Sequence, residues 1–343
     1  MKRKQQGPQA RSVRPRPNLP PRNVQINARQ FSLKPHVAKC SSHLPFRQGP
    51  VGTCWFVSVL AVFFLSELMR GLVIDSLPQM KGWKVPIAHH IADFFLGNEY
   101  AMSDISFLTF LRSQRPNVFN GRQDGKLGGN AIVYLSRFLN FFEIPHLFYV
   151  QEIGSTIAYA SKWNLHLPFD PDLRKSQEKS GRSTLSPFVG GPAQVIVIQT
   201  MHGSKAYKNR QTLKHQNLPQ NARNLYPLEI GGLCANKHTL NIKRGGVTTY
   251  RLDAILFSNT NKSQCQKGHA TAGVTCNGQR YFYQGWPNWY GASCPLHPFE
   301  WSRRQQFTIN WGQCSPQNTK KTNTTKDLVF DTFDNTIAIY VRV

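Results

Sequence analysis

Acidic residues are scarce in this chain. It contains 17 Asp and Glu residues against 42 Lys and Arg residues, so its formal net charge at pH 7 is +25. No acidic residue occurs before Glu67. This shortage says nothing about the fold, but a field of one sign favours polyanionic partners: nucleic acid, an acidic protein surface or anionic lipid. We therefore expect at least one contact with nucleic acid or another polyanion.

The sequence also lacks paired cysteine motifs. Its seven cysteines, none of them in a C-x-x-C pair, are Cys40, Cys54, Cys234, Cys265, Cys276, Cys294 and Cys314. An odd number without paired spacing, in a chain of 343 residues, excludes a small disulfide-stapled scaffold and indicates reduced thiols in a cytosolic or nuclear setting. The set closest to metal-ligand spacing is Cys265, His269, Cys276 and Cys294. That spacing matches no standard zinc finger, and we predict no metal and no other cofactor.

No long uninterrupted apolar run is present. The basic start is not followed by an apolar h-region, so we exclude a secretory signal and expect an intracellular protein of the cytoplasm or nucleus that is not secreted. The most apolar run, 55–74, carries Glu67 and Arg70 inside it. Two charges within so short a run favour a buried core helix over a membrane-spanning helix. We therefore expect no membrane contact.

The chain begins with a basic, proline-rich arm. Residues 1–36, which open with "MKRKQQGPQARSVRPRPNLPPR", have few apolar side chains and are predicted to be disordered. Two functions fit such an arm: a nuclear-import signal and a nucleic-acid tether. A solvated tail with no dedicated partner fits it equally well.

Residues 37–343 are predicted to form one large domain of the α+β class. The composition, with 40% hydrophobic residues and 22 Phe, is that of a globular chain. The pattern over 37–153 is helix-rich, and the pattern over 190–343 is that of an antiparallel β half. Three polar stretches are predicted to be loop insertions, at 172–186, 202–224 and 315–327.

Hydrophobic periodicity places the elements within each half. Helices are predicted at 54–74, 85–97, 103–114 and 128–142. Two of them have plausible N-cap residues, Thr53 and Ser103. Strands are predicted at 145–153, 193–200, 248–259, 269–276, 279–286 and 336–343. The pair Asn277 and Gly278, between two of these strands, is a strong signal for a hairpin turn.

One cysteine lies where a nucleophile would be activated. Cys54 begins the apolar helix, and the helix dipole at that position stabilises a thiolate. The nucleophile also needs a base. His269, in "GHATAGV", lies at the start of a predicted strand, among small residues that leave room for another segment to approach. His269 would therefore meet Cys54 in space rather than in sequence.

Two further groups complete this hypothesis. The imidazole needs a partner for its other nitrogen, and the segment across the hairpin turn offers Gln284 or, further on, Asn288. The oxyanion formed in acyl transfer needs hydrogen-bond donors. The side-chain amide of Gln48, in the loop before the helix, and the backbone N–H of Cys54 are the candidates.

These segments resemble the active-site segments of papain-like cysteine proteases. In "QGPVGTCWF" (48–56) Thr53 replaces the usual Ser, and the matching residues are Gln48, Gly49, Gly52, Cys54, Trp55 and Phe56. "GHATAGV" is similar to the family's histidine segment, and "QGWPNWYG" is similar to its Asn-Ser-Trp-Gly segment, with Gln284 in place of Asn. The resemblance implies substrate contacts by Trp55, Gly268 and Trp286.

One branch of that superfamily, the ubiquitin-specific proteases, is similar in a second way. "GTCWFVSVL" resembles their nucleophile segment, and 250–286 resembles their histidine box, with Tyr-x-Leu-x-Ala, a variable loop, Gly-His and an aromatic strand. The resemblance implies a papain-like fold, in which a central Cys-bearing helix packs on an antiparallel sheet that carries the His. It implies a cysteine peptidase or isopeptidase that cleaves ubiquitin or a ubiquitin-like modifier. Similar proteases occur in large DNA viruses, and the basic arm fits such an origin, in a host cell or a virion.

Two departures from these families keep other functions open. Gln284 is neutral and one methylene longer than the family's Asn, and the paired C-x-x-C zinc ligands of many ubiquitin-specific proteases are absent. The alternatives are a protease that processes viral polyproteins or virions, a catalytically impaired pseudo-protease, and a basic virion protein associated with nucleic acid.

Overall fold

The computed structural model describes an α+β chain over residues 46, 48, 52–96, 104–119, 131–153, 157–160, 193–201, 228–229, 239–243, 247–259, 268–318 and 327–343. The predicted arm (1–36) and the predicted insertions at 172–186 and 202–224 lie outside these residues. Of the third predicted insertion, residues 315–318 and Asp327 are described.

The described part of the first half is mostly helical. Its α-helices are α1 (Cys54–Leu65), α2 (Glu67–Ser76), α3 (Val85–Phe95), α4 (Asp104–Gln114), α5 (Pro116–Phe119) and α6 (Ala131–Phe141). Two 3-10 turns, Leu77–Gln79 and Gly82–Lys84, connect α2 to α3. The four predicted helical regions are confirmed in outline. Ser103 and the glycine pair at 128–129 lie outside the described residues.

The apolar run 55–74 was predicted as one helix, and that prediction is wrong. Ser66 is extended, and the helical segment after it is bent by 80° relative to α1. Asp253, on a distant strand, holds this break by accepting a hydrogen bond from the Ser66 hydroxyl. Its carboxylate also accepts the backbone N–H groups of Leu68 (3.1 Å) and Met69 (2.8 Å). It therefore caps α2, whose first N–H groups have no partner within the helix.

α1 is a core helix, as its composition predicted. Every one of its 12 residues is buried. Within the described ranges, no single helix is long and apolar enough to cross a membrane. α1 and Glu67–Gln79 reach the required length and hydropathy only as a pair, across the 80° bend.

Strands dominate the described part of the second half. In chain order they are β1 (His146–Glu152), β2 (Ile157–Ala160), β3 (Val195–Met201), β4 (Leu228–Glu229), β5 (Thr239–Lys243), β6 (Val247–Ser258), β7 (Ala270–Cys276), β8 (Gln279–Tyr283), β9 (His297–Pro298), β10 (Gln306–Ile309), β11 (Gln317–Asn318), β12 (Leu328–Asp331) and β13 (Thr336–Arg342). The six strands predicted from the sequence are all present. They correspond to β1, β3, β6, β7, β8 and β13.

Ten of the described strands form one sheet, in the order β4-β2-β1-β3-β13-β6-β7-β8-β9, with β5 beside β6. A second, small sheet has the order β11-β10-β12. The pairs from β3 to β9 are antiparallel, whereas β1 pairs with β3 in parallel. Because β1 and β2 belong to the large sheet, the strands assigned to the first half share one sheet with those of the second half.

The large sheet is the middle layer of the fold. Along β6, Ala254 and Leu256 pack in the cluster that contains α1 and the other helices. The alternate residues Ile255 and Phe257 pack in a second cluster with Phe307 of the small sheet. This alternation follows from the two-residue period of a strand, and it leaves the helices and the small sheet on opposite faces.

The hairpin between β7 and β8 turns where the sequence predicted it. Asn277 and Gly278 both have positive φ angles, 51° and 75°, as a two-residue turn of this kind requires. The turn fixes the register of the hairpin, which runs from Cys276 opposite Gln279 to Ala272 opposite Tyr283.

The expectation of reduced thiols is wrong for three cysteines. Cys294 and Cys314 form a disulfide. Cys276 is also disulfide-bonded, and Cys54 is the free cysteine of the described part. Spacing along the chain did not reveal these pairs because it does not report which residues meet in space. The argument from thiols for a reducing compartment therefore no longer stands.

We expect Asp253→Ala to lower the free energy of unfolding by roughly 3 kcal/mol, because it leaves two backbone N–H groups and a hydroxyl without their acceptor. Urea denaturation followed by circular dichroism measures this change. The matched control is Asp75→Ala in the exposed part of α2, which we expect to change stability by less than about 0.5 kcal/mol. Equal effects of the two variants would contradict the capping role of Asp253.

Candidate active site

Cys54 is the first residue of α1 and is 6% exposed. The side chain of Thr53 makes no capping hydrogen bond; its carbonyl accepts the N–H groups of Phe56 (2.9 Å) and Val57 (3.1 Å). The predicted N-cap is therefore made by the main chain of Thr53 alone. This arrangement leaves the N–H groups of the first helical residues directed at the sulfur of Cys54.

The Cys54 thiol touches the segment that carries the predicted base. Its Sγ donates to the carbonyl oxygen of Gly268 over 4.0 Å, and the backbone N–H of Ala270 lies within hydrogen-bonding reach of the sulfur. Gly268 and Ala270 flank His269 in the chain. The structure therefore brings together two residues separated by more than 200 positions.

The main chain holds His269 at the start of β7. Its N–H donates to the side-chain oxygen of Asn259 (2.7 Å), and its carbonyl accepts the N–H of Asn259 (3.2 Å). The imidazole stacks on the ring of Trp286, with centroids 3.9 Å apart and planes inclined by 19°. The β7–β8 register, continued past Ala272 and Tyr283, places His269 opposite Trp286, in agreement with this stacking.

Gln284 lies on the same sheet face as Trp286 and diagonal to His269, as the same register requires. Its side chain is fully buried. The amide nitrogen donates to the sulfur of Cys294 over 3.9 Å, and the amide oxygen has no hydrogen-bond partner. The Nε2 atom of His269 is likewise buried without a partner. His269 and Gln284 thus lie beside the neighbouring strands β7 and β8, without a hydrogen bond between the imidazole Nε2 and the amide oxygen.

Asn288, the alternative to Gln284, is engaged in its own loop. Its side-chain oxygen accepts the backbone N–H groups of Tyr290 (2.9 Å) and Ala292 (3.0 Å). Its own N–H donates to the carbonyl of Ala292 (2.8 Å). Because two donors occupy the Asn288 oxygen, Gln284 is the one of these two candidates whose side-chain oxygen is unengaged.

Gln48 is held against the end of β8. Its backbone N–H donates to the carbonyl of Gly285 over 2.6 Å. Gly285 has no space for a side chain, because an added Cβ would lie 2.3 Å from Cγ2 of Val57 and 3.4 Å from Cβ of Gln48. The loop of Gln48, helix α1 and the segment of Gln284 therefore meet at one point. The side-chain oxygen of Gln48 is buried without a partner.

Burial keeps both reacting groups uncharged in the resting site. Burial raises the pKa of the Cys54 thiol above its ordinary value, and the N–H groups of Ala270, Trp55 and Cys54 only partly oppose it. Burial lowers the pKa of His269 from 6.5 to about 3. At neutral pH the pair is therefore a thiol and a neutral imidazole, not a thiolate and an imidazolium.

The residues predicted to contact substrate have different surroundings. Trp55 is buried and packs on Tyr134, with ring centroids 4.6 Å apart, so it belongs to the core rather than to a binding surface. Gly268 is exposed beside Cys54, and Trp286 is half-buried. Trp311 packs beside Trp286, with the centroids of the two rings 5.4 Å apart.

Sequence reasoning missed three participants. Asn259 fixes the main chain of His269, Trp311 packs on Trp286, and the disulfide of Cys294 contacts Gln284. Gly312, next to Trp311, has a φ of 81°, and an added Cβ there would lie 2.3 Å from the ring of Trp289. The other contacts join distant segments and have no pattern along the chain.

A cavity of about 710 Å³ lies at the turn end of the β7–β8 hairpin, away from His269. It is lined in part by Arg251 and Arg280, which pair with Glu67 (2.9 Å) and Glu300 (2.5 Å). Among the described residues, no group of three or more His, Cys, Asp and Glu side chains is arranged to hold a metal ion.

No protein-family model matches the chain, and the search of curated proteins gives no match. The function must therefore be argued from the residues and their geometry.

We expect alkylation of Cys54 by iodoacetamide to be slow at pH 7 and to keep rising beyond pH 9, because only the thiolate reacts and burial disfavours it. The measurement is the rate of modification of the Cys54 peptide by mass spectrometry, without added reductant. Cys54→Ala is the control for reaction elsewhere. A rate that is constant between pH 5 and pH 8 would instead indicate a thiolate–imidazolium pair.

Proposed function

We propose that this protein is a cysteine peptidase or isopeptidase with a papain-like fold, closest in pattern to the ubiquitin-specific proteases. The observation that carries the proposal is the contact of the Cys54 sulfur with the main chain on either side of His269. A nucleophile at a helix start beside a histidine, with a third group on the next strand, is the arrangement used in thiol peptidases.

The layers of the fold support the same proposal. A central, fully buried helix begins with the cysteine, and it packs on a sheet in which β7 follows the histidine. Gln284 and Trp286 follow the adjacent strand, in the order that the sequence resemblance implied. The order of these residues along the chain therefore supports one site, as do the pairing of β7 with β8 and the stacking of His269 on Trp286.

In the first step the Cys54 thiol attacks the carbonyl carbon of the scissile bond. His269 accepts the thiol proton as the sulfur–carbon bond forms, and the carbonyl oxygen takes the negative charge. The backbone N–H of Cys54 and the side-chain amide of Gln48 are the donors for this oxyanion. The N–H of Cys54 lies at the N-terminal end of α1, where the helix dipole favours negative charge.

In the second step the imidazolium of His269 gives its proton to the leaving amine as the carbon–nitrogen bond breaks. The product is a thioester on Cys54. Water then attacks the thioester carbonyl while His269 accepts its proton, and the acid product leaves with the thiol restored. Each proton removed is returned, so the enzyme ends the cycle unchanged.

The neutral resting pair fits this sequence of steps. A buried imidazolium is costly unless it is hydrogen-bonded. The free oxygen of Gln284 is an acceptor for Nε2–H of His269 when the ring becomes charged. The ring of Trp286 covers the imidazole and attracts a cation on its face. In this mechanism the imidazole of His269 therefore becomes charged only when the carbonyl oxygen of the substrate takes up the negative charge.

The proposed substrate is ubiquitin, a ubiquitin-like modifier or another polypeptide. The exposed Gly268 lies beside Cys54 and has no side chain, which suits the approach of an extended substrate segment at this point. Viral polyprotein processing, or an impaired pseudo-protease, uses the same site with a different partner. The charge of +25 supports a nucleic-acid contact in addition to any of these.

We expect ubiquitin that carries a C-terminal thiol-reactive group to form a covalent adduct with the wild-type protein and not with Cys54→Ala. A gel shift measures it. An adduct with both proteins would mean that another residue reacts. If neither protein forms one, ubiquitin is excluded as the substrate, and digestion of unfolded polypeptides by the wild type then decides whether a peptidase of other specificity remains.

We expect Gln284→Asn to keep activity within roughly tenfold of the wild type, and Gln284→Ala to lower kcat by roughly 10- to 100-fold through loss of one hydrogen bond to a charged group. Steady-state kinetics on a peptide–amide substrate measure both. Asn288→Ala is the matched control, since its oxygen serves only its own loop. A larger loss from Asn288→Ala than from Gln284→Ala would reverse the assignment.

A further inference from the structure

The amide of Gln284 is in contact with a disulfide. Its nitrogen donates to the sulfur of Cys294 over 3.9 Å, and Cys294 is bonded to Cys314. Gln284 and Cys294 are 0% and 1% exposed, so water does not compete for this contact. A buried amide donor thus has a sulfur as its partner, next to the histidine of the proposed site.

A disulfide sulfur differs from a thiol in one way that matters here. It carries no hydrogen, so it accepts a hydrogen bond but donates none, whereas a thiol does both weakly. Only the NH₂ end of the Gln284 amide is therefore compatible with Cys294 in the oxidised state. The oxygen end is left on the opposite side of the amide, and it is the atom that has no partner in the structure.

If Cys294 were reduced, its sulfur would no longer favour the NH₂ end of the Gln284 amide over the oxygen end. Its S–H would donate to the amide oxygen, and the NH₂ end would then take the position now held by the oxygen. An NH₂ group does not accept a hydrogen bond from the Nε2–H of His269. The charged imidazole would be left without a buried acceptor.

The same disulfide joins the two loops that cover the imidazole. Cys294 ends the loop that starts at Trp286, and Cys314 follows Trp311. The two loops also meet through a bridge between Asn288 and Gly312, and the two tryptophan rings pack together. The disulfide therefore holds together the two loops that carry Trp286 and Trp311, and it also contacts the amide of Gln284.

We propose that the Cys294–Cys314 disulfide is a positioning group, which orients the Gln284 amide so that its oxygen faces the imidazole of His269. This inference rests on the proposed function for the role of His269 in catalysis. The disulfide stays oxidised throughout the cycle and exchanges no electrons with Cys54. The protein accordingly works with the Cys54 thiol free and this disulfide closed.

The test compares Cys294→Ala/Cys314→Ala with the wild type, each purified without reductant under nitrogen. We expect kcat to fall roughly 10- to 100-fold with little change in KM. Alkylation of Cys54 at pH 10, which needs no base, is expected to be unchanged. Cys276→Ala is the matched control, because it opens another disulfide at the far end of β7, and we expect it to keep kcat.

Combination with Gln284→Ala separates positioning from general stability. If the disulfide acts through Gln284, the triple variant loses no more than Gln284→Ala alone, because both changes remove one interaction. Losses that multiply would overturn the proposal. Faster alkylation of Cys54 at pH 7, as expected when this buried thiol becomes exposed, would indicate unfolding, and Cys314→Ala, which keeps Cys294 in place, then replaces the double variant in the same comparison.

A measurement without substrate distinguishes this proposal from the proposed function. The ¹⁵N chemical shifts of the His269 ring report which nitrogen is protonated and what it binds. We expect the double variant and Gln284→Ala to move these shifts in the same direction. His269 shifts that stay at their wild-type values in the double variant overturn the positioning role, whether or not the protein hydrolyses any substrate.

Discussion

The structure depends on the close packing of α1 against β7. The helix is apolar on all sides and wholly buried. The strand presents Ala270, Ala272 and Val274 to the helical cluster, and such small side chains let a helix approach a strand closely. Because the helix begins at Cys54 and the strand follows His269, this one contact brings the Cys54 sulfur against the main chain on either side of His269. Everything proposed for the site follows from it.

The same packing explains why the site is uncharged at rest. Removing Cys54 and His269 from water raises the free energy of their ionised forms, and the described residues place no carboxylate against the imidazole. A neutral glutamine, Gln284, suits such a site better than it would suit a permanent ion pair, since it needs to bind a charge only briefly. Burial thus keeps the thiol and the imidazole in their neutral forms.

The sequence predicted the parts of the fold that depend on local pattern. Apolar periodicity located the helices and the six long strands, and Asn277–Gly278 located the hairpin. It did not predict the break at Ser66, because the cause is Asp253, which is 187 residues away. For the candidate site, motif order indicated Cys54, His269 and Gln284. The use of Asn288 within its own loop, and the disulfide beside Gln284, arise from contacts in space that leave no local trace.

The place of β13 in the sheet has a consequence for biosynthesis. This strand follows all the others in the chain, yet it lies between β3 and β6 and pairs with both. Until Thr336–Arg342 has been synthesised, β3 and β6 each have one edge without a pairing strand. Joining the two parts of the large sheet therefore requires β13, which is synthesised after the other described strands.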